Sequence, residues 1–214
     1  MKRIMMAGWV VAVLAAGAAS AQDVPGFSVG GFYETRIDNQ VSDQDLSFDY
    51  VGGRFQFRDE RWFSLYLDVG SQSAEWDDYE ADSATFVGFG GTLWLARAED
   101  FMIPIDAGLS ASFHQGDVDL EQAGGVTHSA TYSQWTAQGV LRVSGYGMAR
   151  PFVRAGVMHS KLEDFDVGDD SDWDVYNPAV NVGLEIVPAD QFVVTVEANY
   201  SEKPGFGIHA DLWF

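Results

Sequence analysis

The sequence contains four histidines, the side chains best suited to acid–base chemistry near neutral pH: His114, His128, His159 and His209. Two of them precede a serine directly, in His128–Ser129 and His159–Ser160. A histidine that activates a serine must reach its hydroxyl, but adjacent residues of a β-strand point to opposite faces. If these segments are strands, neither pair can form a catalytic set. We therefore predict that the chain is not an enzyme.

Carboxylates are dense in one segment, between residues 166 and 174. Hard cations such as Ca²⁺ and Mg²⁺ prefer oxygen ligands, but the segment lacks the glycine at the sixth and the glutamate at the twelfth position of an EF-hand loop. Divalent-cation binding is therefore a hypothesis, and a solvated loop is the alternative. Its candidate ligands are Asp169, Asp170, Asp172 and Asp174. No cofactor is expected.

The composition excludes several classes of protein. Twelve Lys+Arg against 32 Asp+Glu give a net charge of −20, which argues against a nucleic-acid-binding surface. The hydrophobic share of 47% and the aromatic share of 14% argue against a disordered acidic tail. With no cysteine in its 214 residues, the chain has no disulfide, no cysteine-ligated metal and no thiol nucleophile.

The first 21 residues have the pattern of a secretory signal peptide. A short basic start, Met1–Lys2–Arg3, precedes an uncharged run that ends in Ala19–Ser20–Ala21. Small residues in an A-x-A arrangement are typical of a cleavage site. An N-terminal membrane anchor is the alternative. We expect cleavage after Ala21, with residues 22–214 forming one domain.

The rest of the chain alternates apolar and polar residues, the period of β-strands. The C-terminal segment shows it best, because Phe206, Ile208, Ala210, Leu212 and Phe214 fall on one face. Near Asp49 the apolar face shifts. Ten strands are predicted, with eight as the alternative, over residues 27–37, 46–58, 62–73, 84–97, 101–114, 129–143, 150–161, 175–187, 191–201 and 205–214.

The connections between these strands alternate in length. Residues 38–45, 74–83, 115–128 and 162–174 form long acidic loops, and three-residue to four-residue turns separate most of the others. Short turns at one end and long loops at the other are typical of a transmembrane β-barrel. The predicted fold is therefore all-β, an antiparallel up-and-down meander closed into a transmembrane barrel.

A soluble barrel would place its apolar face inside, whereas a membrane barrel places it outside. Two observations favour the membrane barrel. The polar face carries mostly small uncharged residues, unlike the charged surface of a soluble barrel. Aromatic residues also stand near both ends of the predicted strands on the apolar face, as in the interfacial belts of membrane proteins. They are Phe57, Phe63, Phe101, Phe113, Trp135, Phe192, Tyr200, Phe206 and Phe214.

The final segment, Gly205 to Phe214, resembles the last strand of Gram-negative outer-membrane β-barrel proteins, which ends in phenylalanine after alternate apolar residues. The small OmpA- and opacity-type group is the most similar in size, although its members usually have eight strands. The resemblance implies an outer-membrane location. It also implies that Ile208, Ala210, Leu212 and Phe214 are the signal read by the outer-membrane assembly machinery.

Several charged residues fall on the face predicted to line the interior. A charge inside a small barrel must be paired or solvated. We expect a network of Arg54, Arg142, Arg154, Asp106, Glu185, Glu197 and Asp211, together with Glu34, Arg36, Arg58 and Asp68. Phe32, Tyr66 and Trp94 are expected inside as well. The interior is then mostly filled, or it is a narrow charged conduit.

These patterns predict a monomeric outer-membrane barrel with a structural or surface-interaction role, such as adhesion, lipopolysaccharide contact or envelope integrity. A narrow porin-like channel is the alternative, and a lipid-modifying enzyme is a weaker one. The expected partners are outer-membrane lipid and lipopolysaccharide, the assembly machinery and divalent cations at the loops.

Overall fold

The fold is seen in a computed structural model that describes residues 26–41, 44–59, 61–76, 79–82, 84–101, 103–122, 126–144, 148–163, 173–189, 191–201 and 204–214. Residues 1–21, the predicted signal peptide, lie outside this part of the chain. In the described residues no helix combines the length and the apolar character needed to cross a membrane.

Almost all of the described residues belong to β-strands. The strands are β1 (Gly26–Val41), β2 (Gln44–Arg58), β3 (Phe63–Trp76), β4 (Tyr79–Asp82), β5 (Ala84–Ala96), β6 (Ile105–Gln122), β7 (Val126–Val143), β8 (Ala149–Glu163), β9 (Trp173–Ala189), β10 (Phe192–Tyr200) and β11 (Pro204–Trp213). A single helical turn, α1 (Ala98–Phe101), lies between β5 and β6.

These strands form a closed antiparallel barrel. Each long strand pairs with the next along the chain, and β1 closes the barrel on β11, from Ser28 opposite Trp213 to Thr35 opposite Phe206. The short β4 extends the β3–β5 hairpin and pairs with β6. The predicted ten-stranded up-and-down barrel is confirmed. We call the end that holds Gly26, Arg58 and Trp213 the turn end and the opposite end the loop end.

The outer wall of the barrel is apolar. Alternate described residues on the long strands point outward, and many of them are large and exposed, including Leu65, Leu109 and Val182. Exposed aromatic rings stand near the ends of this wall, with Phe27 and Phe101 at the turn end and Tyr176, Tyr200 and Phe206 toward the loop end. Such a wall fits the hydrocarbon core of a bilayer with aromatic belts at its interfaces.

The strands continue further toward the loop end than the sequence predicts. β6 runs to Gln122 and β7 starts at Val126, so most of the predicted loop over residues 115–128 is a paired hairpin. The hairpins on either side of residues 42–43 and 164–172 are longer in the same way. Along β6 the polarity of the two faces is reversed there, because Asp117 and Asp119 point outward beyond the lipid while Val118 is buried inside. The sequence pattern of an apolar outer face therefore stops before the strand does.

The strand predicted over residues 101–114 begins later than expected, at Ile105. The apolar residues Phe101 and Ile103 continue the alternation of β6, but Ala98 to Phe101 form the helical turn α1. Asp106 explains the turn, because its Oδ1 accepts a hydrogen bond of 2.8 Å from the Ala98 backbone N–H. A carboxylate in this position caps a helix N-terminus.

The predicted slip of the apolar face near Asp49 is wrong. Phe48 and Tyr50 are buried and point inward, while Asp49 and Val51 point outward, so alternation is unbroken. The apparent shift arises because aromatic residues occupy the inner face of β2 at this level. The irregularity in this hairpin lies in β1 instead, between Ile37 and Asn39.

Two inward-facing glycines, Gly52 and Gly70, stand opposite each other on β2 and β3. A Cβ atom on Gly52 would lie 2.6 Å from the Val69 carbonyl oxygen and 3.0 Å from Cζ of Phe32. The backbone here therefore leaves space for the ring of Phe32 inside the barrel.

We expect Gly52→Val to destabilise the barrel by about 1–3 kcal/mol, because the new side chain collides with backbone and ring. Gly53→Val is the matched control: Gly53 faces outward, and its Cβ would approach the Gly30 carbonyl oxygen only to 3.8 Å. Urea unfolding of the refolded protein in detergent measures both. Equal stability of the two variants would contradict this role for Gly52.

Candidate functional site: the barrel interior

The loop half of the barrel interior is filled by an aromatic cluster. Its buried members are Phe32, Phe48, Tyr50, Ala74, Phe86, Val118, Ala130, Tyr132 and Leu162. Phe48 stacks on Tyr132 with ring centroids 4.2 Å apart, and Tyr50 meets Phe86 edge-to-face at 5.2 Å. These rings come from four strands, so the cluster spans the interior rather than lining one side.

Polar side chains complete the packing of this cluster. The Tyr132 hydroxyl donates to the Ser160 hydroxyl at 3.2 Å and accepts a hydrogen bond of 3.0 Å from Nε2 of Gln134. Gln72 donates to the backbone carbonyl of Asp117 at 3.2 Å. Buried polar groups that are paired in this way specify one arrangement of the interior.

A second part of the interior is built on Asp68, which is fully buried. Arg54 grips its carboxylate with two parallel hydrogen bonds of 2.7 Å, and Nε2 of His114 lies 3.4 Å from the same group. The Arg54 guanidinium also lies 4.0 Å from the centroid of the Tyr66 ring and 5.5 Å from that of Phe32. Arginine suits this place because it can pair bidentately and stack on rings at once.

A larger ion-pair network lies toward the turn end. Arg142 donates to Asp106 at 2.8 Å and to Glu185 at 3.3 Å, and Arg150 donates to Glu185 at 3.2 Å. Nε of Arg97 lies 3.5 Å from Asp106. Asp106 thus joins two arginines, in addition to capping α1.

A third group of charges lies where β10, β11 and β1 meet. Glu197 accepts a hydrogen bond of 3.1 Å from Arg154, and Nε2 of His209 lies 3.8 Å from its other oxygen. Glu34 accepts a hydrogen bond of 3.0 Å from the Asn199 side chain. Glu34, Glu197 and His209 are all buried and close enough to share a metal ion.

These groups surround a cavity of about 210 Å³. Its wall contains Arg58, Arg97 and Trp213 near the turn end and reaches Tyr200 and Ser201 at the loop end of β10. The wall is polar and carries the charged groups described above. A cavity of this size has room for water or a small ion but is smaller than the usual pocket for an organic ligand, which is about 300–1,000 Å³.

The predicted interior residues are distributed over these groups. Arg54 pairs with Asp68, Arg142 with Asp106 and Glu185, and Arg154 with Glu197. Asp211 is buried on the same inner face, but it makes no ion pair with any described residue. Arg58 stacks over Trp213 at 4.1 Å, and the side chain of Arg36 lies outside the described part of the chain.

Sequence reasoning missed Arg97, Arg150 and His114 as members of the interior. Arg97 follows a register shift at the end of β5, so alternation does not assign it a face, and it joins the network through Asp106. Arg150 joins it through Glu185, and it lies in β8 on the same face as Arg154, so alternation could have identified it. His114 follows the alternation of β6, which puts it on the same face as Asp106. Asp106 and His114 are eight residues apart on one strand, and residues an even number apart share a face. The predicted inward direction of Asp106 could therefore have identified His114 as well.

The outward residues include those predicted as the assembly signal. Ile208, Ala210, Leu212 and Phe214 share the outer face of the C-terminal segment, and Ile208 and Phe214 are exposed. The Phe214 backbone N–H donates to the Phe27 carbonyl at 2.8 Å, which ties the last residue to β1.

Among the predicted cation ligands, Asp169, Asp170 and Asp172 lie outside the described residues. Asp174 is described, and its Oδ1 lies 2.5 Å from Nε2 of His159 on the outer wall. His159 also contacts the rings of Tyr176 and Trp135, with centroids 4.3 and 5.5 Å away.

Of the two His–Ser neighbours, His159 and Ser160 are both described, and they point to opposite faces, as strand geometry requires. His159 lies outside the barrel beside Asp174, whereas Ser160 is fully buried inside and bonded to Tyr132. Ser129 is exposed and donates to Asp119 at 2.5 Å. The side chain of His128 lies outside the described part.

No family model and no curated protein matches the chain. Among solved structures it is similar to the translocator domain of the autotransporter NalP from Neisseria meningitidis, with a TM-score of 0.53 and 8% identity over 96% of this chain and 92% of that one. It is also similar to Ail, the attachment invasion locus protein of Yersinia pestis, with a TM-score of 0.42 and 13% identity over 89% and 97%. The outer membrane protease OmpT from Escherichia coli gives a TM-score of 0.37 and 11% identity over 88% and 93%. The likeness to NalP shows that the chain has the fold of Gram-negative outer-membrane β-barrels.

We expect Asp68→Ala to destabilise the barrel by about 3–5 kcal/mol, because it leaves the Arg54 charge inside without its partner. The matched control is Asp100→Ala, which removes the partner of the partly exposed Arg61 at the turn end and should cost less than about 1 kcal/mol. Urea titration followed by circular dichroism compares them. If Asp68→Ala lowered the free energy of unfolding no more than the control does, the stabilising role of the buried Arg54–Asp68 pair would be contradicted.

Proposed function

We propose that this chain is an integral outer-membrane barrel that acts at the cell surface, in a structural or surface-interaction role. Export through the signal peptide at residues 1–21 would put residues 22–214 in the outer membrane as a monomer. The turn end would face the periplasm and the loop end the exterior. The observation that carries the proposal is the filled interior, which directs function to the outside of the barrel.

Side chains occupy most of the space between the strands. The aromatic cluster takes the loop half, and the arginine–carboxylate networks take much of the rest. The remaining cavity of about 210 Å³ is smaller than the usual pocket for an organic substrate. This packing favours a stable scaffold over the transport of solutes.

The outer wall near the loop end offers an interaction surface, the acidic rim. We define it by the outward-facing residues Asp49, Asp117, Asp119, Glu163 and Asp174. Asp117 and Asp119 accept hydrogen bonds from Thr131 at 3.1 Å and Ser129 at 2.5 Å on the neighbouring strand. Lys161 pairs with Glu163 within the rim.

The rim must lie beyond the hydrocarbon. β6 has 18 residues. At about 3.4 Å per residue and a tilt of about 40°, it rises about 45 Å, whereas the apolar band of such barrels is about 25 Å tall. The rim would therefore stand at the level of the lipopolysaccharide headgroups. Carboxylates beside phosphates repel each other, and divalent cations bound to both would turn the repulsion into adhesion.

Assembly is part of the proposal. Phe214 and the alternate residues Leu212, Ala210 and Ile208 present one outward row on the strand that closes the barrel. We propose that the assembly machinery reads this row before β11 pairs with β1. We propose no catalysis, because His159 and Ser160 point to opposite faces of β8 and cannot act together.

A narrow conduit is the second candidate function, and one observation favours it. The charged wall of the cavity reaches from Arg58 at the turn end to Ser201 at the loop end of β10. Ions could follow this wall past the aromatic cluster.

Planar-bilayer recording separates the two functions. We expect no stable unitary conductance from the wild-type barrel and a measurable conductance from the double variant Phe48→Ala/Tyr132→Ala, which removes two stacked rings from the interior. The double variant Phe55→Ala/Phe89→Ala, which trims rings on the outer wall, should stay silent. A stable wild-type conductance that is abolished by changing Arg54 or Arg142 would support the conduit instead.

Thermal unfolding in vesicles tests the surface role. We expect Mg²⁺ to raise the unfolding temperature of the barrel in vesicles that contain lipopolysaccharide, and the gain to fall by half or more in Asp117→Asn/Asp119→Asn. The control Asp100→Asn, at the turn end, should keep the full gain. An equal Mg²⁺ effect in vesicles of phospholipid alone would argue against lipopolysaccharide contact.

A further inference from the structure

Two glutamates of the interior converge across one glycine. Gly207 on β11 stands directly opposite Glu34 on β1 and directly opposite Glu197 on β10. A Cβ atom on Gly207 would lie 3.5 Å from Cγ of Glu34 and 3.2 Å from Cγ of Glu197. The missing side chain thus gives both glutamates room to lean toward each other over the middle strand.

A histidine faces the same point. His209 is two residues beyond Gly207, so it shares the inner face of β11, and only 6% of its surface is exposed. Its ring stacks on Phe32 at 5.7 Å, and Nε2 lies 3.8 Å from Oε1 of Glu197, beyond hydrogen-bond length. Nδ1 is buried and has no hydrogen-bond partner among the described residues.

A buried imidazole in this condition is unusual, because buried polar atoms are nearly always paired. The ring stacks on Phe32, and its other nitrogen, Nε2, is the one near Glu197. One ligand atom from each of Glu34, Glu197 and His209 lies within 4.8 Å of the others. A metal ion with bonds of about 2.0–2.2 Å needs only a small contraction to reach all three.

We propose that Glu34, Glu197 and His209 form a binding site for a divalent transition-metal ion, of which Zn²⁺ is the reference case. One imidazole nitrogen and two carboxylate oxygens make a mixed donor set that suits zinc, and also manganese or iron, better than calcium. Three protein ligands leave at least one coordination position open. All three residues line the cavity, so that position would take water.

The neighbours of the trio support the site. Arg154 donates to Oε2 of Glu197 at 3.1 Å, which leaves Oε1 toward His209. The side-chain N–H of Asn199 donates to Oε1 of Glu34 at 3.0 Å. Such outer contacts orient metal-binding carboxylates, and the arginine offsets part of their charge when no ion is bound.

The site has a consequence for the barrel as a whole, because it bridges the strands of the closing seam. β1 and β11 are the first and last strands; Glu34 lies on β1 and His209 lies on β11. An ion bound there joins both to β10. Binding to the closed barrel alone stabilises it, so metal should raise the temperature at which the seam opens.

Isothermal titration calorimetry of the refolded full barrel in detergent tests the proposal, after removal of metal with EDTA. Zn²⁺ is titrated in excess Mg²⁺, which occupies the oxygen-only sites of the acidic segments. We expect one Zn²⁺ per barrel and at least about tenfold weaker binding in His209→Gln and Glu197→Gln. His114→Gln is the matched control, since His114 is the other described histidine of the interior and lies beside Asp68.

Retention of wild-type affinity in His209→Gln, or an equal loss in His114→Gln, would overturn the proposal. X-ray absorption at the zinc edge needs only the wild-type protein, so it tests the proposal even if a variant does not fold. We expect one imidazole nitrogen and otherwise oxygen in the first shell. A shell of oxygen alone would show that the ion sits on acidic segments and would also overturn the site.

Discussion

The structure depends on one constraint, the pairing of every backbone N–H and C=O group that crosses the bilayer. Lipid offers no hydrogen-bond partner, so an open sheet edge would be costly there. Pairing of β1 with β11 removes both edges at once, and the hydrogen bond from Phe214 to Phe27 completes the seam at the turn end. Once the sheet is closed, successive side chains along each strand must face lipid and the interior in turn.

The contents of the interior follow from that closure. A charge on the inner face cannot reach bulk water easily, and most of the described arginines there are matched by a carboxylate from another part of the chain, as in Arg54 with Asp68. Rings then cover the flat faces of several guanidinium groups, as Trp94 does for Arg142 at 4.4 Å. In the loop half of the interior, aromatic rings take the place of the ion pairs. Gly52 and Gly70 have no side chains there and so leave room for the rings.

Alternation in the sequence was sufficient to predict the strands of the barrel, and the uncharged polar face and the aromatic belts indicated which face meets lipid and hence most of the inward charges. Alternation failed where the polarity of the two faces is reversed. At Phe48 and Tyr50 the inner face is aromatic and the outer face carries Asp49, which imitated a slip. Along β6 beyond Gln115 the outer face is acidic and the inner face carries the buried Val118, which imitated a loop. Near Phe101 an apolar alternation continued into a helical turn whose cap, Asp106, comes later in the chain.

Contacts between strands could not be predicted in the same way. Glu34 is far from Glu197 and Gly207 in sequence, and the convergence of the three depends on the register of two strand pairs. A shift of one residue in either pairing would turn a glutamate to the lipid face. Alternation assigns each residue to a face but does not say which residues of different strands meet.

The long hairpins at the loop end have a further consequence. Asp117 and Asp119 are held on paired backbone, two residues apart, so their carboxylates repeat at a spacing of about 7 Å along β6. Carboxylates on a flexible segment would have to be ordered by each ligand that they bind, at a cost in entropy. Here the strand has already fixed the interval, so a rim that binds cations as proposed would discriminate among them by the distance between their charges as well as by their number.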